Sequence, residues 1–150
     1  MSSTTSWHST ALRHTPADNT LKMFRSVLQV PEFKTDLKHL KKHYQSLDGD
    51  LETLIKALYV WLHVQGKAGQ SYDDGYVVMS GYSADGCYLY KVRHMTCRAL
   101  KGMGSRTGLR VVFAYWPESD TLELIQIYFK ADHDREDQDR IRDYLKAAQR

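Results

Sequence analysis

Apolar residues recur at helical spacing in the first half of the chain. Phe33, Leu37 and Leu40 lie three or four positions apart, with lysines at several of the positions between them. This pattern predicts an amphipathic helix that begins at Pro31. The residues SLDGD (46–50) provide a turn and a capping residue for a second helix, which ends near position 64. Its apolar positions are Leu51, Leu54, Ile55, Leu58 and Leu62. Because the connection is short, the two helices are predicted to form an antiparallel hairpin.

Strand patterns occupy much of the remaining chain. Four segments are rich in β-branched and aromatic residues and alternate polar with apolar positions: 24–30, 88–94, Leu109–Trp116 and 122–130. Turn-forming residues at 117–120 join the last two, which predicts that these strands pair antiparallel. The glycine- and tyrosine-rich connector 65–86 is predicted to include a short extended piece at 76–80.

A third helix is predicted at 134–148, with Asp134 as its N-cap. Its apolar face consists of Ile141, Tyr144, Leu145 and Ala148. The order of elements is therefore β-α-α-β-β-β-α. This order predicts an α+β fold with an antiparallel sheet of about four strands, an N-terminal helical hairpin and a C-terminal helix.

Side chains alternate between the two faces of a strand, which divides the strand residues into two sets. The apolar set is predicted to form the core: Leu109, Val111, Phe113, Tyr115, Ile125, Ile127 and Phe129. The other set is predicted to lie on an open face of the sheet: Lys91, Arg93, Arg110, Gln126, Tyr128 and Lys130. Basic residues on a solvent-facing strand also serve solubility alone or protect a sheet edge, and Tyr128 is equally compatible with a half-buried strand tyrosine.

Positive charge is concentrated between positions 91 and 110. The whole chain has 21 Lys and Arg against 18 Asp and Glu, but this segment contains no acidic residue. Its basic residues are Lys91, Arg93, Arg98, Lys101, Arg106 and Arg110. Charges that strands hold in fixed positions suit the recognition of phosphates, so the sequence predicts a polyanion as the partner.

The loop that precedes Leu109 contains Gly102, Gly104 and Gly108, whose spacing matches no phosphate-binding fingerprint. We expect instead a flexible basic loop. Its side chains predicted to reach phosphates are Arg98, Lys101 and Arg106. His94 and His133 are candidates for proton transfer or phosphate contact. The alternating acids and bases at 132–143 are typical of a solvated helix face, so no metal or cofactor site is predicted.

Length and composition predict a single domain. A chain of 150 residues that is 42% hydrophobic and 26% charged fits one core, here predicted at 23–150 behind a flexible, Ser- and Thr-rich arm at 1–22. No apolar run approaches ~20 residues and the N-terminus lacks a signal-peptide pattern, so we expect a cytoplasmic protein without a membrane partner. Cys87 and Cys97 lack zinc-ligand spacing and fit a reducing compartment.

These features together resemble the RelE/ParE superfamily of bacterial type II toxins. The resemblance covers about residues 24–145. It is based on the order of elements and on the segments FKTDLKHLKKHY, LETLIKAL, YKVRH, SRTGLRVVFAY and LIQIYFKADHDREDQDRI. It implies a small RelE/ParE-like fold and a toxin that a cognate antitoxin, encoded beside it, neutralises.

Members similar to RelE are ribosome-dependent endoribonucleases that cleave mRNA with basic residues in place of a histidine pair. By this resemblance, Lys91 and Arg93 look like the two basic residues of the second strand, and Arg110 looks like the arginine that opens the third. Lys130 lies close to a further basic catalytic position, and Lys91 is the hypothetical general base or acid. The chain shows no equivalent of the C-terminal tyrosine that acts in RelE, because Tyr144 lies in a predicted helix. Other members inhibit DNA gyrase, so gyrase inhibition and nucleic-acid binding without toxicity stay open as alternatives.

Overall fold

The computed structural model describes residues 23–73, 75–82, 85–104 and 106–148. Within them the chain forms three α-helices and five β-strands. In chain order they are β1 (Ser26–Gln29), α1 (Pro31–Lys41), α2 (Leu47–Tyr59), β2 (Tyr76–Val78), β3 (Tyr88–Val92), β4 (Leu109–Trp116), β5 (Thr121–Phe129) and α3 (Gln138–Ala148). A π-helical segment, Val60–Val64, continues α2. The predicted N-terminal arm lies outside the described residues.

The strands form one mixed sheet in the order β1-β5-β4-β3-β2. β1 pairs parallel to β5, while the other neighbours pair antiparallel. The prediction of about four antiparallel strands was therefore wrong in strand count and in the direction of β1. Short connections reveal strand direction in the sequence, but β1 and β5 are joined through most of the chain, and β2 is only three residues long.

Helices cover both faces of the sheet, so it has two cores. α1 and α2 place Phe33, Leu37 and Leu58 in the first core with the β4 residue Phe113. α3 places Ile141 and Leu145 in the second core. The second core also includes Leu89, Val112, Ala114 and Tyr128. The face predicted to be open is therefore partly covered by α3. Among the helices of the described ranges, none has the length and apolar character that a membrane span requires.

A β-bulge in β5 shifts the predicted alternation of side chains. Val112 pairs with Gln126, but the next β4 residue, Phe113, pairs with Leu124, which leaves Ile125 without a partner. Ile125 consequently packs in the second core, whereas the sequence predicted it in the first. Ile127 and Phe129 lie in the first core, as predicted. An extra residue in one strand reverses the face of every position on one side of it, and nothing local in the sequence marks this.

The segment before α2 is held by hydrogen bonds different from those predicted. Ser46 lies at the N-terminus of α2 but makes no side-chain cap hydrogen bond. Its hydroxyl donates to Asp50 Oδ2 at 2.6 Å and accepts from the Ala99 backbone N–H at 2.9 Å. α1 packs mainly against β5 rather than against α2. The two helices are thus positioned by the sheet and by the loop at 93–108.

Asp137, and not the predicted Asp134, caps α3. Its Oδ1 accepts a hydrogen bond from the Arg140 backbone N–H at 3.0 Å, three residues into the helix. Replacing an N-cap aspartate by alanine typically costs about 1 kcal/mol. We therefore expect Asp137→Ala to lower the free energy of unfolding, measured by urea denaturation at pH 7, by about 1 kcal/mol. Asp134→Ala is the matched control and should leave it nearly unchanged; equal effects of the two variants would contradict the assignment.

Candidate functional site

Two arginines meet where β3 ends and β4 begins. Arg110 is the second residue of β4, and Arg93 directly follows β3. Arg110 Nη1 donates a hydrogen bond to the Arg93 carbonyl oxygen at 2.6 Å, and both residues are half-buried. Burial and the neighbouring charge of Arg93 lower the pKa of Arg110, while Tyr128 acts in the opposite direction. The sheet thus holds two positive charges close together in a partly desolvated position. We call them the arginine pair.

The arginine pair has no acidic counterpart in the part of the chain that the structure describes. Three cations that are at least partly held by the fold have a counterion: Lys91 contacts Glu136, Arg98 contacts Asp50, and Arg140 contacts Asp36. Arg93 and Arg110 are half-buried, yet neither forms an ion pair with a described residue. Guanidinium groups held without a counterion and partly removed from water favour a bound anion, because they offer charge-assisted hydrogen bonds in a fixed geometry.

Tyr128 is a buried tyrosine beside the arginine pair, and its hydroxyl reaches the surface. It pairs with Arg110 across the sheet, is 4% exposed and packs edge-on against His133 with ring centroids 6.4 Å apart. Burial and the charge of Glu136 raise its pKa to about 12, against the lowering effect of Arg110 and Arg135. Tyr128 is therefore protonated near neutral pH. Its hydroxyl hydrogen-bonds to no residue within the described ranges, so it is available to donate to a ligand.

Lys91 carries a counterion that the sequence did not predict. Its Nζ lies 2.8 Å from Glu136 Oε1, and Arg135 Nη2 lies 3.9 Å from Glu136 Oε2. Glu136 is 6% exposed and precedes α3, so the prediction that 132–143 is a solvated helix face was wrong at this position. Lys91 is thus held in an ion pair with a buried carboxylate.

The Glu136 carboxylate makes stability depend on pH. Burial alone would raise its pKa, but the hydrogen bond from Lys91, a backbone hydrogen bond and the charges of Lys91 and Arg135 outweigh this effect and hold the pKa below 4.5. The stability that the Glu136 carboxylate contributes to the fold is thus complete above the pKa of Glu136 in the unfolded state. This contribution is lost as the pH falls through the pKa of Glu136 in the folded state. Urea denaturation between pH 7 and pH 3 should show a smaller acid-induced loss in Glu136→Gln than in Glu118→Gln, a matched change at an exposed site. Equal losses would contradict this.

The basic loop before β4 is anchored rather than free along its whole length. Met95 and Cys97 are buried in the first core, and Thr107 Oγ1 donates to the Met95 carbonyl oxygen at 2.7 Å. Arg98 Nε donates to Asp50 Oδ1 at 3.0 Å, which ties this end of the loop to α2. The predicted flexibility therefore does not extend to these residues.

The structure separates the predicted phosphate-binding residues into groups. Arg98 lies with α2, on the side of the sheet opposite to α3, and is not brought to the arginine pair. Lys101 and Arg106 are exposed in the loop, and Lys130 is exposed directly after β5. Because β3, β4 and β5 pair antiparallel, this loop and Lys130 lie at the same end of the sheet as the arginine pair. His133 contacts Tyr128, which places it near the arginine pair.

A cleft of about 550 Å³ adjoins the arginine pair between α1 and the segment that joins β5 to α3. Its polar lining includes Asp36, His39, Gln126, Tyr128, His133 and Arg135. Arg135 and Glu136 were not predicted as site residues, and Gln126 was assigned only to a face. The alternating charges at 132–143 were the one sequence signal for this segment, and they do not distinguish a buried charge from a solvated one. Over the described ranges, no group of three or more His, Cys, Asp or Glu residues is arranged to hold a metal ion.

Comparison with known proteins identifies no relative of this chain. No protein-family model, no curated protein and no solved structure matches this chain. The RelE/ParE resemblance thus stays a prediction from the sequence, and the structure supports the coarser statement that this is a small α+β protein.

Proposed function

We propose that this protein is a cytoplasmic toxin of the RelE/ParE type that binds mRNA through a phosphate at the arginine pair and cleaves it without a metal ion. The observation that carries the proposal is the arginine pair itself. Arg93 and Arg110 are half-buried, lie at the centre of a basic sheet end and lack an acidic counterpart among the described residues. A phosphodiester supplies the negative charge that this arrangement favours.

The proposed reaction is attack of an RNA 2′-hydroxyl on the adjacent phosphate. The 2′-oxygen forms a bond to phosphorus and the bond from phosphorus to the 5′-oxygen breaks, while a base takes the 2′ proton and an acid protonates the leaving oxygen. Negative charge accumulates on the phosphate in the transition state. Fixed positive groups that contact the phosphate stabilise this charge, which is the largest single contribution in many enzymes.

Each residue near the pair has a role in this proposal. Arg93 and Arg110 clamp the phosphate, and Tyr128 donates a hydrogen bond to one of its oxygens. We assign proton transfer to His133, because histidine is the side chain that most readily exchanges protons near neutral pH. Lys91 lies beside the site in an ion pair with Glu136, and variants of both residues test its proposed part in catalysis. Lys130 and the exposed loop residues Lys101 and Arg106 would contact flanking phosphates.

Transcript mapping tests the proposal. The chain is expressed from a tightly controlled promoter, and new RNA 5′ ends are mapped within minutes of induction. Wild type should arrest growth and produce new ends confined to translated frames, whereas Arg93→Ala/Arg110→Ala should produce neither. Lys56→Ala, which removes an exposed charge from α2, is the matched control. Arrest without new ends would point to gyrase instead, and no arrest would favour a binding module without toxicity.

An antitoxin is part of this proposal, because an unrestrained ribonuclease arrests its own cell. A segment with acidic residues is the partner that the arginine pair would accept, since carboxylates and phosphates are bound by the same guanidinium geometry. The proposed antitoxin and the RNA would then compete for the same site.

A further inference from the structure

The cleft beside the arginine pair has the size and lining of a binding site. Its volume of about 550 Å³ lies within the usual range for small-molecule pockets, roughly 300–1,000 Å³. Aromatic groups line it, namely His39, Tyr128, Phe129 and His133. Tyr128 also pairs with Arg110 across the sheet, so the cleft lies next to the proposed phosphate site, although neither arginine lines it.

Gln126 presents a fixed hydrogen-bond donor to this cleft. The residue is 6% exposed, and its Oε1 accepts from the Asp137 backbone N–H at 2.8 Å. Only the oxygen of the Gln126 amide can accept a hydrogen bond from an N–H group, so this contact fixes the orientation of the amide. Gln126 Nε2 donates to no residue within the described part of the chain. Among the described residues, Trp61 Nε1 is the only buried side-chain nitrogen or oxygen without a partner, so Gln126 Nε2 reaches the solvent of the cleft and offers a ligand a donor in a fixed position.

Tyr128 lies between Gln126 and the arginine pair. Gln126 and Tyr128 lie two positions apart after the bulge in β5 and line the same cleft, which separates them by roughly 7 Å. Tyr128 pairs with Arg110 across the sheet. A phosphate at the arginine pair therefore leaves its attached base within reach of the cleft.

We propose that the cleft is a nucleobase subsite, in which Gln126 Nε2 donates to a carbonyl oxygen of the base and the exposed imidazole rings of His39 and His133 stack on the base. This inference deepens the proposed function and rests on it. Since Gln126 Oε1 already accepts from Asp137, the amide cannot make the paired donor and acceptor contact by which glutamine binds adenine, which favours a carbonyl-bearing base, namely uracil, cytosine or guanine. Stacking on aromatic side chains is the general means by which proteins hold unpaired bases.

Short 2′-O-methyl RNA oligonucleotides, which lack the attacking hydroxyl, test the subsite by fluorescence anisotropy with the full chain. We compare an oligouridine with versions that carry one abasic position each. Loss of the base at one position should weaken binding about tenfold. Equal binding of all abasic versions would overturn the proposal, and a preference for adenine at that position would overturn the role of Gln126.

Variants separate the base subsite from the phosphate site. Gln126→Glu keeps the acceptor for the Asp137 N–H and removes the donor, and Gln126→Met keeps the size without adding charge. Both should reduce the difference between the intact and the abasic oligonucleotides without abolishing it, because stacking on the base remains, while Gln65→Glu, a matched exposed change, should keep the tenfold difference. A full tenfold difference in both Gln126 variants would overturn the role of this residue. By contrast, unchanged binding in Arg93→Ala/Arg110→Ala would count against the proposed function and not against the subsite.

Discussion

Replacing Lys91 by methionine should lower the free energy of unfolding by about 3 kcal/mol, because it leaves the Glu136 carboxylate buried without its counterion. Glu136 is 6% exposed and its nearest cation is Lys91 Nζ at 2.8 Å. The Lys91 side chain is 25% exposed, so water reaches one end of the pair and we expect the lower part of the usual range. Urea denaturation at pH 7 measures the loss.

The double variant Lys91→Met/Glu136→Leu is the control for this prediction. It removes both charges, and the unfavourable buried carboxylate goes with them, so most of the lost stability should return. If Lys91→Met is as stable as wild type, Glu136 is not a buried ion in solution.

The ion pair also decides how variants of Lys91 are interpreted. A loss of the proposed ribonuclease activity in Lys91→Met would report misfolding as well as any catalytic role. The double variant distinguishes the two: restored stability without restored activity would indicate that Lys91 contributes to the reaction, whereas restored activity would show that its role is structural.

Arg110→Ala should reduce the rate of RNA cleavage by about 100-fold, because it removes one of the two guanidinium groups proposed to contact the phosphate. The same change should alter stability much less. Arg110 makes one hydrogen bond with the described residues, to the Arg93 carbonyl, and a single such bond contributes about 1 kcal/mol. Initial cleavage rates and urea denaturation on the same samples measure the two effects.

Arg110→Lys and Lys56→Ala complete this experiment. A lysine keeps the charge but not the planar fork of donors, so Arg110→Lys should recover only part of the activity. Lys56 is an exposed residue of α2, on the side of the sheet opposite to α3, and its loss should leave the rate unchanged. Cleavage by Arg110→Ala at the wild-type rate would rule out the proposed role of the arginine pair.

Elements with strong local patterns are predictable from this sequence. β4 has the bounds predicted from its alternation, and α1 begins at Pro31 as predicted. The C-terminal helix is present but begins at Gln138, after Asp137 rather than Asp134. Both aspartates are acceptable caps in the sequence, and the choice depends on Gln126 Oε1, which binds the Asp137 N–H from another element. Local propensity therefore identified the helix and tertiary contact chose its first residue.

The amino-acid sequence by itself determined which residues share a face near the site. Arg93, Arg110 and Tyr128 belong together by strand parity, since alternation follows from backbone geometry within each strand. Tertiary structure alone decided that α3 covers part of this face and that Glu136 forms an ion pair with Lys91. It also decided that Arg98 binds Asp50 instead of lying near the arginine pair. It further decided the bulge that moves Ile125 into the second core, and the hydrogen bond that orients the Gln126 amide. The physical reason is how far apart in sequence the interacting residues lie. Periodicity and parity arise from neighbouring residues, whereas counterions, bulges and burial depend on groups that only the folded chain brings together.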